Sequence, residues 1–182
     1  MGTVLILHSS TEGQTARISE YIAGALKRQG LDARIASIRD APELEGYAAV
    51  VVGASIHIGR YAPDLIDYLK QHSPRLGTLA NAFFLVSLTA SQQDEDSRKV
   101  VDGYLKMVVD DTGWQPNETV SFAGALRFSR YGFLKRQLMK WIARRNGLST
   151  DASRDHELTD WNAVDEFANR LADRFARGPV PA

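Results

Sequence analysis

Short apolar runs alternate along the chain with stretches whose apolar residues recur every three or four positions. Such a run is typical of a strand, and the longer spacing is typical of a helix with one buried face. Because strands that alternate with helices form a parallel sheet covered on both faces, the pattern predicts a three-layer, doubly wound α/β fold. The five predicted strands are residues 3–7, 33–38, 48–53, 82–88 and 119–123.

Three elements carry finer predictions about which side chains are buried. In residues 33–38 the alternation places Arg34 outward and Ile35 inward. Residues 48–53 are apolar throughout, which predicts a central strand. In a helix at residues 94–111 the predicted buried positions are Val100, Val101, Tyr104 and Val108.

Three further helices are predicted to cover the sheet. The first ends at Gly30, and the second spans residues 63–71 with Pro63 in its first turn. Thr159 or Asp160 is the expected N-cap of the last helix. The apolar face of that last helix contains Trp161, Val164, Ala168, Leu171, Ala172 and Phe175.

Composition indicates one ordinary soluble domain, because 44% of the 182 residues are hydrophobic and 24% are charged. We expect one domain at residues 1–177, which includes an insert at 124–150, and a frayed tail at 178–182. The absence of cysteine excludes disulfides and thiolate metal sites. No apolar run is long enough for a membrane-spanning helix, and the N-terminus has no basic region typical of a secretory signal.

The formal net charge of zero conceals an uneven distribution. Residues 119–150 contain no acidic side chain and seven basic ones, whereas the remainder has 15 basic and 22 acidic residues. The body of the protein is therefore acidic, and one segment is strongly basic. The seven are Arg127, Arg130, Lys135, Arg136, Lys140, Arg144 and Arg145.

The loop at residues 9–15 has a composition that suits a phosphate group. It joins the first strand to the first helix, where ligands bind in open α/β sheets and where unpaired amides favour an anion. Ser10, Thr11 and Thr15 add hydroxyl donors, and Gly13 permits a positive φ. The alternative is that these residues only form a capped turn.

Neither of the common nucleotide-binding motifs is present in this loop. It lacks the lysine of G-x-x-x-x-G-K-[ST] and the spacing of G-x-G-x-x-G. A nucleoside triphosphate or a dinucleotide is therefore not expected. The four histidines are too scattered to predict a metal site.

The motif S-x-T-x-G-x-T directly after the first strand resembles the phosphate loop of flavodoxin-like proteins, which hold FMN without a basic side chain. The resemblance implies strand order 2-1-3-4-5 and two further flavin-contacting loops, at 53–59, flanked by two glycines, and at 87–92. The cofactor-binding residues that it implies are Ser9, Ser10, Thr11, Glu12, Gly13, Gln14, Thr15, Ala54, Ser55, Ile56, His57, Ser87, Leu88, Thr89 and Gly124.

Three motifs together resemble the quinone-dependent protoporphyrinogen IX dehydrogenase family: G-A-S-I at 53–56, A-G-A-L-R-F-S-R-Y at 123–131 and T-D-W at 159–161. The resemblance implies an FMN enzyme of haem biosynthesis that oxidises protoporphyrinogen IX to protoporphyrin IX and passes electrons to menaquinone or ubiquinone. It also implies that Arg127 and Arg130 bind the substrate propionates.

The basic segment at residues 131–146 has the pattern of an amphipathic helix on an anionic membrane surface, with Trp141 at headgroup depth. Its apolar face could instead pack on the domain. Nucleic acid is not an expected partner, because the basic residues form one isolated helix and no binding module frames it. We therefore expect a cytoplasmic protein that lies peripherally on the inner face of the cell membrane.

His57 is a candidate proton acceptor in catalysis, with packing as its alternative role, and His8 is a weaker candidate.

Three alternatives to this enzyme remain open at the level of sequence. The protein could be a flavodoxin-type electron carrier, although such carriers are usually strongly acidic. It could also be an NAD(P)H:quinone reductase on the same fold, or a membrane-binding module without flavin.

Overall fold

A computed structural model of the chain describes residues 2–10, 12–40, 42–92, 94–126, 144, 151 and 155–176, without the side chain of residue 126. Five parallel strands form one sheet in the order β2-β1-β3-β4-β5. The elements are β1 Thr3–Ser9, α1 Gln14–Arg28, β2 Ala33–Ser37, β3 Tyr47–Ser55, α2 Pro63–Thr78, β4 Ala80–Ser87, α3 Glu95–Thr112, β5 Thr119–Ala123, β6 Ala125–Leu126, β7 His156–Glu157 and α4 Trp161–Ala176.

The core consists of two apolar layers, one on each face of the sheet. Alternate residues of β1 point to opposite faces, so Val4 and Ile6 pack against α1 and α4, whereas Leu5 and Leu7 pack against α2 and α3. Every residue of β4 is buried, because this strand has a neighbour on both sides and helices above and below. The predicted three-layer α/β fold and the strand order 2-1-3-4-5 are confirmed.

The five predicted strands and the four helices predicted to cover the sheet all exist, with ends that differ by a few residues. β2 stops at Ser37, since Ile38 begins a short 3-10 helix that ends at Asp40. α2 continues past residue 71 to Thr78, through Pro74, and so brings Leu76 into the core. Among the two N-cap candidates of α4, Asp160 accepts from the N–H groups of residues 162 and 163.

Two predicted burials are wrong. Ile35 is 36% exposed, because β2 is an edge strand that pairs only with β1. Val100 is 43% exposed, since the buried stripe of α3 is centred on Val101 and Val108 and Val100 lies to one side of it.

Gly53 in β3 marks a close approach between neighbouring strands. A Cβ at this position would overlap the ring of Phe84, a buried residue of β4. Glycine is therefore required here for packing. The ring of Phe84 fills the space that a side chain at position 53 would occupy.

A small antiparallel sheet lies beyond the carboxyl end of β5 and has no counterpart in the sequence prediction. β6 pairs with β7, with Ala125 opposite Glu157. The pairing therefore brings together the two ends of the segment 127–155. Most of the predicted insert at 124–150 and all of the tail at 178–182 lie outside the described residues.

Among the described residues no helix combines the length and the apolar character needed to cross a membrane.

Candidate functional site

The carboxyl ends of four parallel strands meet at one edge of the sheet and form a cleft. The strand register places Ser9 beside Ala54, Ser55 beside Val86, and Ser87 beside Ala123. The cleft opens to solvent and has a cavity volume of about 80 Å³. It is lined by Ser10, Glu12, Gln14, Thr15, Ser55, Ile56, His57, Val86, Ser87, Leu88, Gly124 and Ala125.

The first loop presents the start of α1 to this cleft. Gly13 is the N-cap residue with φ 91°, and its N–H donates to the Ser10 Oγ at 3.0 Å. The N-cap residue is a glycine and supplies no side-chain cap to α1, so the helix start presents its backbone N–H groups. Thr15 in the first turn is 1% exposed, and its Oγ1 has no hydrogen-bond partner among the described atoms.

The second loop turns tightly after β3. The N–H groups of His57 and Arg60 each donate to the other residue's carbonyl, at 2.9 and 3.2 Å. Both central residues have a positive φ, 49° for Ile58 and 73° for Gly59. Ile58 is also 79% exposed, so a β-branched apolar residue occupies a strained position at the rim of the cleft.

The third loop is held by hydrogen bonds from its own start. The Ser87 Oγ accepts from the Ala90 N–H at 3.1 Å, and residues 89–91 form a 3-10 turn. The Ser87 carbonyl accepts from the Gly124 N–H at 3.1 Å, which joins this loop to the chain after β5. A Cβ at Gly124 would lie 3.4 Å from the Val86 Cγ1, within tight contact.

The predicted site residues fall into three groups. Ten of the fifteen predicted cofactor-binding residues line the cleft: Ser10, Glu12, Gln14, Thr15, Ser55, Ile56, His57, Ser87, Leu88 and Gly124. Ser9, Gly13 and Thr89 belong to the same loops, while the Ala54 side chain is buried in the core, so that only its backbone can face a ligand. Thr11, Arg127, Arg130 and residues 131–146 except Arg144 lie outside the described residues.

Glu157 and Thr159 contact the site although no sequence prediction placed them there. The Gln14 Nε2 donates to the Glu157 Oε1 at 3.0 Å and to the Thr159 Oγ1 at 2.8 Å. More than 140 residues separate these partners in the sequence. In the sequence, only the T-D-W motif at residues 159–161 drew attention to this part of the chain, and it indicated a helix cap rather than a contact with the first loop.

His8 and His57 differ in their position. His57 lines the cleft. His8 lies in β1, one residue before its end, and does not line the cleft. Its Nδ1 is buried without a partner among the described atoms, and burial lowers its pKa. Of the two histidines, only His57 is placed to face a bound ligand. No group of three or more metal-ligating side chains occurs in the part of the chain that the structure describes.

The first loop fits a phosphate group. A helix N-terminus without a side-chain cap offers backbone N–H donors and the positive end of the helix dipole. The buried Thr15 hydroxyl is a further donor whose lack of a partner costs free energy until a ligand accepts from it. A phosphate group would satisfy these donors, and the second and third loops flank the same position.

Comparisons with known proteins agree with this geometry. Residues 5–153 match the family model described as a flavodoxin domain. The protoporphyrinogen IX dehydrogenase [quinone] of Escherichia coli (strain K12) is 34% identical over 170 residues, which are 92% of this chain and 93% of the relative. A protein of the same name from Leishmania major is 34% identical over 171 residues, 92% of this chain and 74% of the relative.

Solved flavodoxins share the fold. An oxidised flavodoxin from Bacillus cereus superposes with a TM-score of 0.55 at 16% identity, over 98% of this chain and 99% of that one. Fusobacterium nucleatum flavodoxin bound to flavin mononucleotide gives a TM-score of 0.54 at 12% identity, over 97% and 98% of the two chains. At these identities the likeness concerns the fold alone.

Proposed function

This chain belongs to the quinone-dependent protoporphyrinogen IX dehydrogenase family, built on a flavodoxin domain, and from that premise we propose that it is an FMN enzyme that oxidises protoporphyrinogen IX to protoporphyrin IX. Electrons pass to a membrane quinone, either menaquinone or ubiquinone. The observation that carries the cofactor assignment is the buried Thr15 hydroxyl, which has no partner among the described atoms, in the first turn of α1 at the cleft.

The first loop binds the cofactor through its phosphate in this proposal. FMN, when bound, would accept two electrons at a time from the porphyrinogen and pass them to a quinone, so that the six-electron oxidation to protoporphyrin IX takes three turnovers. The backbone N–H groups at the start of α1 and the hydroxyls of Ser10 and Thr15 donate to the phosphate. Since these donors are neutral, the helix dipole provides the electrostatic complement to the phosphate charge.

The second and third loops orient the cofactor and border the substrate. The backbone at Ser55 and Ile56, together with Ser87 and Leu88, flanks the position of the flavin. His57 lies where it can accept a proton that leaves the substrate. No aromatic residue occurs between positions 88 and 103, so the third loop has no ring of its own to cover the flavin, and in this proposal the tetrapyrrole approaches from that side.

The basic segment attaches the protein to the membrane in this proposal. Protoporphyrinogen and quinone are both apolar and concentrate at the bilayer, so an enzyme adsorbed there meets both. Arg127 and Arg130, which precede this segment, pair with the substrate propionates, because a guanidinium binds a carboxylate in a bidentate manner. The protein is then cytoplasmic and peripheral on the inner face of the cell membrane.

Anaerobic reduction tests the reaction. The FMN-loaded protein is mixed without oxygen with protoporphyrinogen IX and, separately, with NADPH, while the flavin absorbance is recorded. We expect rapid bleaching by the porphyrinogen and recovery of the absorbance on addition of a quinone. Reduction by NADPH alone would instead identify an NAD(P)H:quinone reductase, and reduction by neither would leave the electron-carrier alternative.

Vesicle binding tests the membrane attachment. Each basic residue near an anionic surface contributes about 1 kcal/mol, so Lys135→Gln with Arg136→Gln should weaken adsorption roughly thirtyfold. Co-sedimentation with phosphatidylglycerol vesicles measures this, and Arg34→Gln with Arg98→Gln is the control, since both are exposed residues of the folded body. Equal binding of both double variants would exclude the segment as the attachment site.

A further inference from the structure

One carboxylate connects the first loop to the chain that returns from the segment 127–155. The Glu157 Oε1 accepts from the Gln14 Nε2 and from the Trp161 Nε1, both at 3.0 Å. The Glu157 Oε2 pairs with the Arg17 Nη1 at 2.6 Å. Each of its oxygens therefore has a partner on α1.

Gln14 is the first residue of α1, so whatever holds its side chain also orients the helix N-terminus. It is 5% exposed and lines the cleft. Its Nε2 donates to the Thr159 Oγ1 as well, and this hydroxyl donates to the Ala123 carbonyl at 2.7 Å. The start of α1 is thus anchored both to the end of β5 and to the chain that leads into α4.

The same residues form the base of the segment 127–155. Glu157 lies in β7, opposite Ala125 of β6, and the Leu158 N–H donates to the Gly124 carbonyl at 3.1 Å. Gly124 and Ala125 line the cleft. A ligand in the cleft therefore contacts β6 directly at Ala125. Its phosphate, at the start of α1, is connected to β7 by the hydrogen bond from Gln14 to Glu157.

Glu157 is ionised at neutral pH in this environment. Desolvation is the largest influence and opposes ionisation, but the hydrogen bonds from Gln14, Arg17 and Trp161 together outweigh it and lower the pKa of the carboxyl below its usual value. The charge is balanced by the guanidinium of Arg17, which also lies over the Trp161 ring at 5.2 Å.

We propose that Glu157 is a positioning residue for the cofactor site, one that aligns the N-terminus of α1 through Gln14 and couples it to the small sheet β6–β7. This inference rests on the proposed FMN site. Because coupling between two sites is reciprocal, FMN binding stabilises the base of the segment 127–155, and an ordered base in turn strengthens FMN binding.

The test compares two carboxylates that make similar ion pairs at opposite ends of the sheet. Glu157→Ala removes the proposed positioning residue. Glu118→Ala is the control, because Glu118 pairs with the Arg170 Nε at 2.9 Å and precedes β5, remote from the cleft. Both variants lose an ion pair with a helix, so any general loss of stability appears in both.

FMN affinity is measured by quenching of flavin fluorescence, and hydrogen exchange is followed at residues 124–126 and 156–158. We expect Glu157→Ala to raise the FMN Kd about tenfold and to abolish the protection that FMN gives these amides in the wild type. Glu118→Ala is expected to change the Kd less than twofold. Glu157→Gln, which keeps an acceptor oxygen for Gln14, should recover part of the affinity and serves if the alanine variant does not fold.

An unchanged Kd in both Glu157 variants, or an equal rise in Glu118→Ala, would overturn the positioning role while leaving the FMN site intact. Absence of FMN binding by the wild type would overturn the proposed function itself, and with it this inference.

Discussion

Thr15 shows most clearly how one residue is adapted to a ligand. Its hydroxyl is buried in the first turn of α1 with no partner among the described atoms, an arrangement that costs free energy in the free protein. Serine and threonine are common near helix starts, so the sequence could predict a hydroxyl here. It could not predict that the hydroxyl is left without a partner, because that depends on how residues distant in the chain pack around it.

Thr15→Val should therefore stabilise the FMN-free protein by about 1 kcal/mol while it weakens FMN binding about tenfold. Thr112→Val is the matched control: this buried hydroxyl donates to the Val108 carbonyl at 2.6 Å and accepts from the Trp114 N–H at 3.1 Å. Its loss should destabilise the protein and leave FMN affinity unchanged. Urea unfolding and flavin titration measure both quantities, and a less stable Thr15→Val protein would contradict the interpretation.

The elements were predictable to the extent that a local pattern specifies them. The apolar run at 48–53 indicated the central strand β3, because a strand covered on both faces has no polar side. The small sheet β6–β7 escaped prediction, since each strand has only two residues and its partner is far away in the sequence. The same reason explains why Glu157 was missed while the first loop was found.

The turn after β3 is an element whose backbone conflicts with its sequence. Two-residue turns with positive φ at both central positions favour Asn-Gly, whereas this one contains Ile58-Gly59. Ile58→Asn should therefore raise the free energy of unfolding by about 1 kcal/mol. The same substitution at Ile35, an exposed residue of strand β2, should lower it, because asparagine is disfavoured in strands. If both asparagine variants change the free energy of unfolding with the same sign in urea titrations, the proposed backbone strain at Ile58 is refuted.

At the scale of the whole molecule, the three-layer fold followed from the alternation of strands and helices, and the resemblance to flavodoxin-like proteins implied the strand order 2-1-3-4-5. The distribution of charge was also visible in the sequence. What no pattern could specify is the cleft itself, since its walls come from four separate loops that meet only after the strands have paired.

Stability should be greatest between pH 6.5 and 10 and should fall on both sides. Burial lowers the pKa of His8 from 6.5, so below that value the unfolded chain takes up the proton first and stability declines. Burial raises the pKa of Tyr68 from 10.0 to about 12, so above pH 10 the unfolded chain loses the proton first. Denaturant unfolding at pH values from below 6.5 to above 10 measures the decline in stability on the acid side and on the alkaline side.

His8→Asn should reduce the decline in the free energy of unfolding just below pH 6.5 and leave the decline above pH 10 unchanged. If the variant and the wild type decline in parallel below pH 6.5, His8 is not the group responsible.

The most direct test of the account is a paired titration of the FMN-free protein with FMN and with riboflavin, which lacks the phosphate. If the start of α1 holds the phosphate through several hydrogen bonds to a charged group, FMN should bind at least about a hundredfold more tightly than riboflavin. Equal affinities for the two flavins, or no binding of FMN, would contradict the central claim.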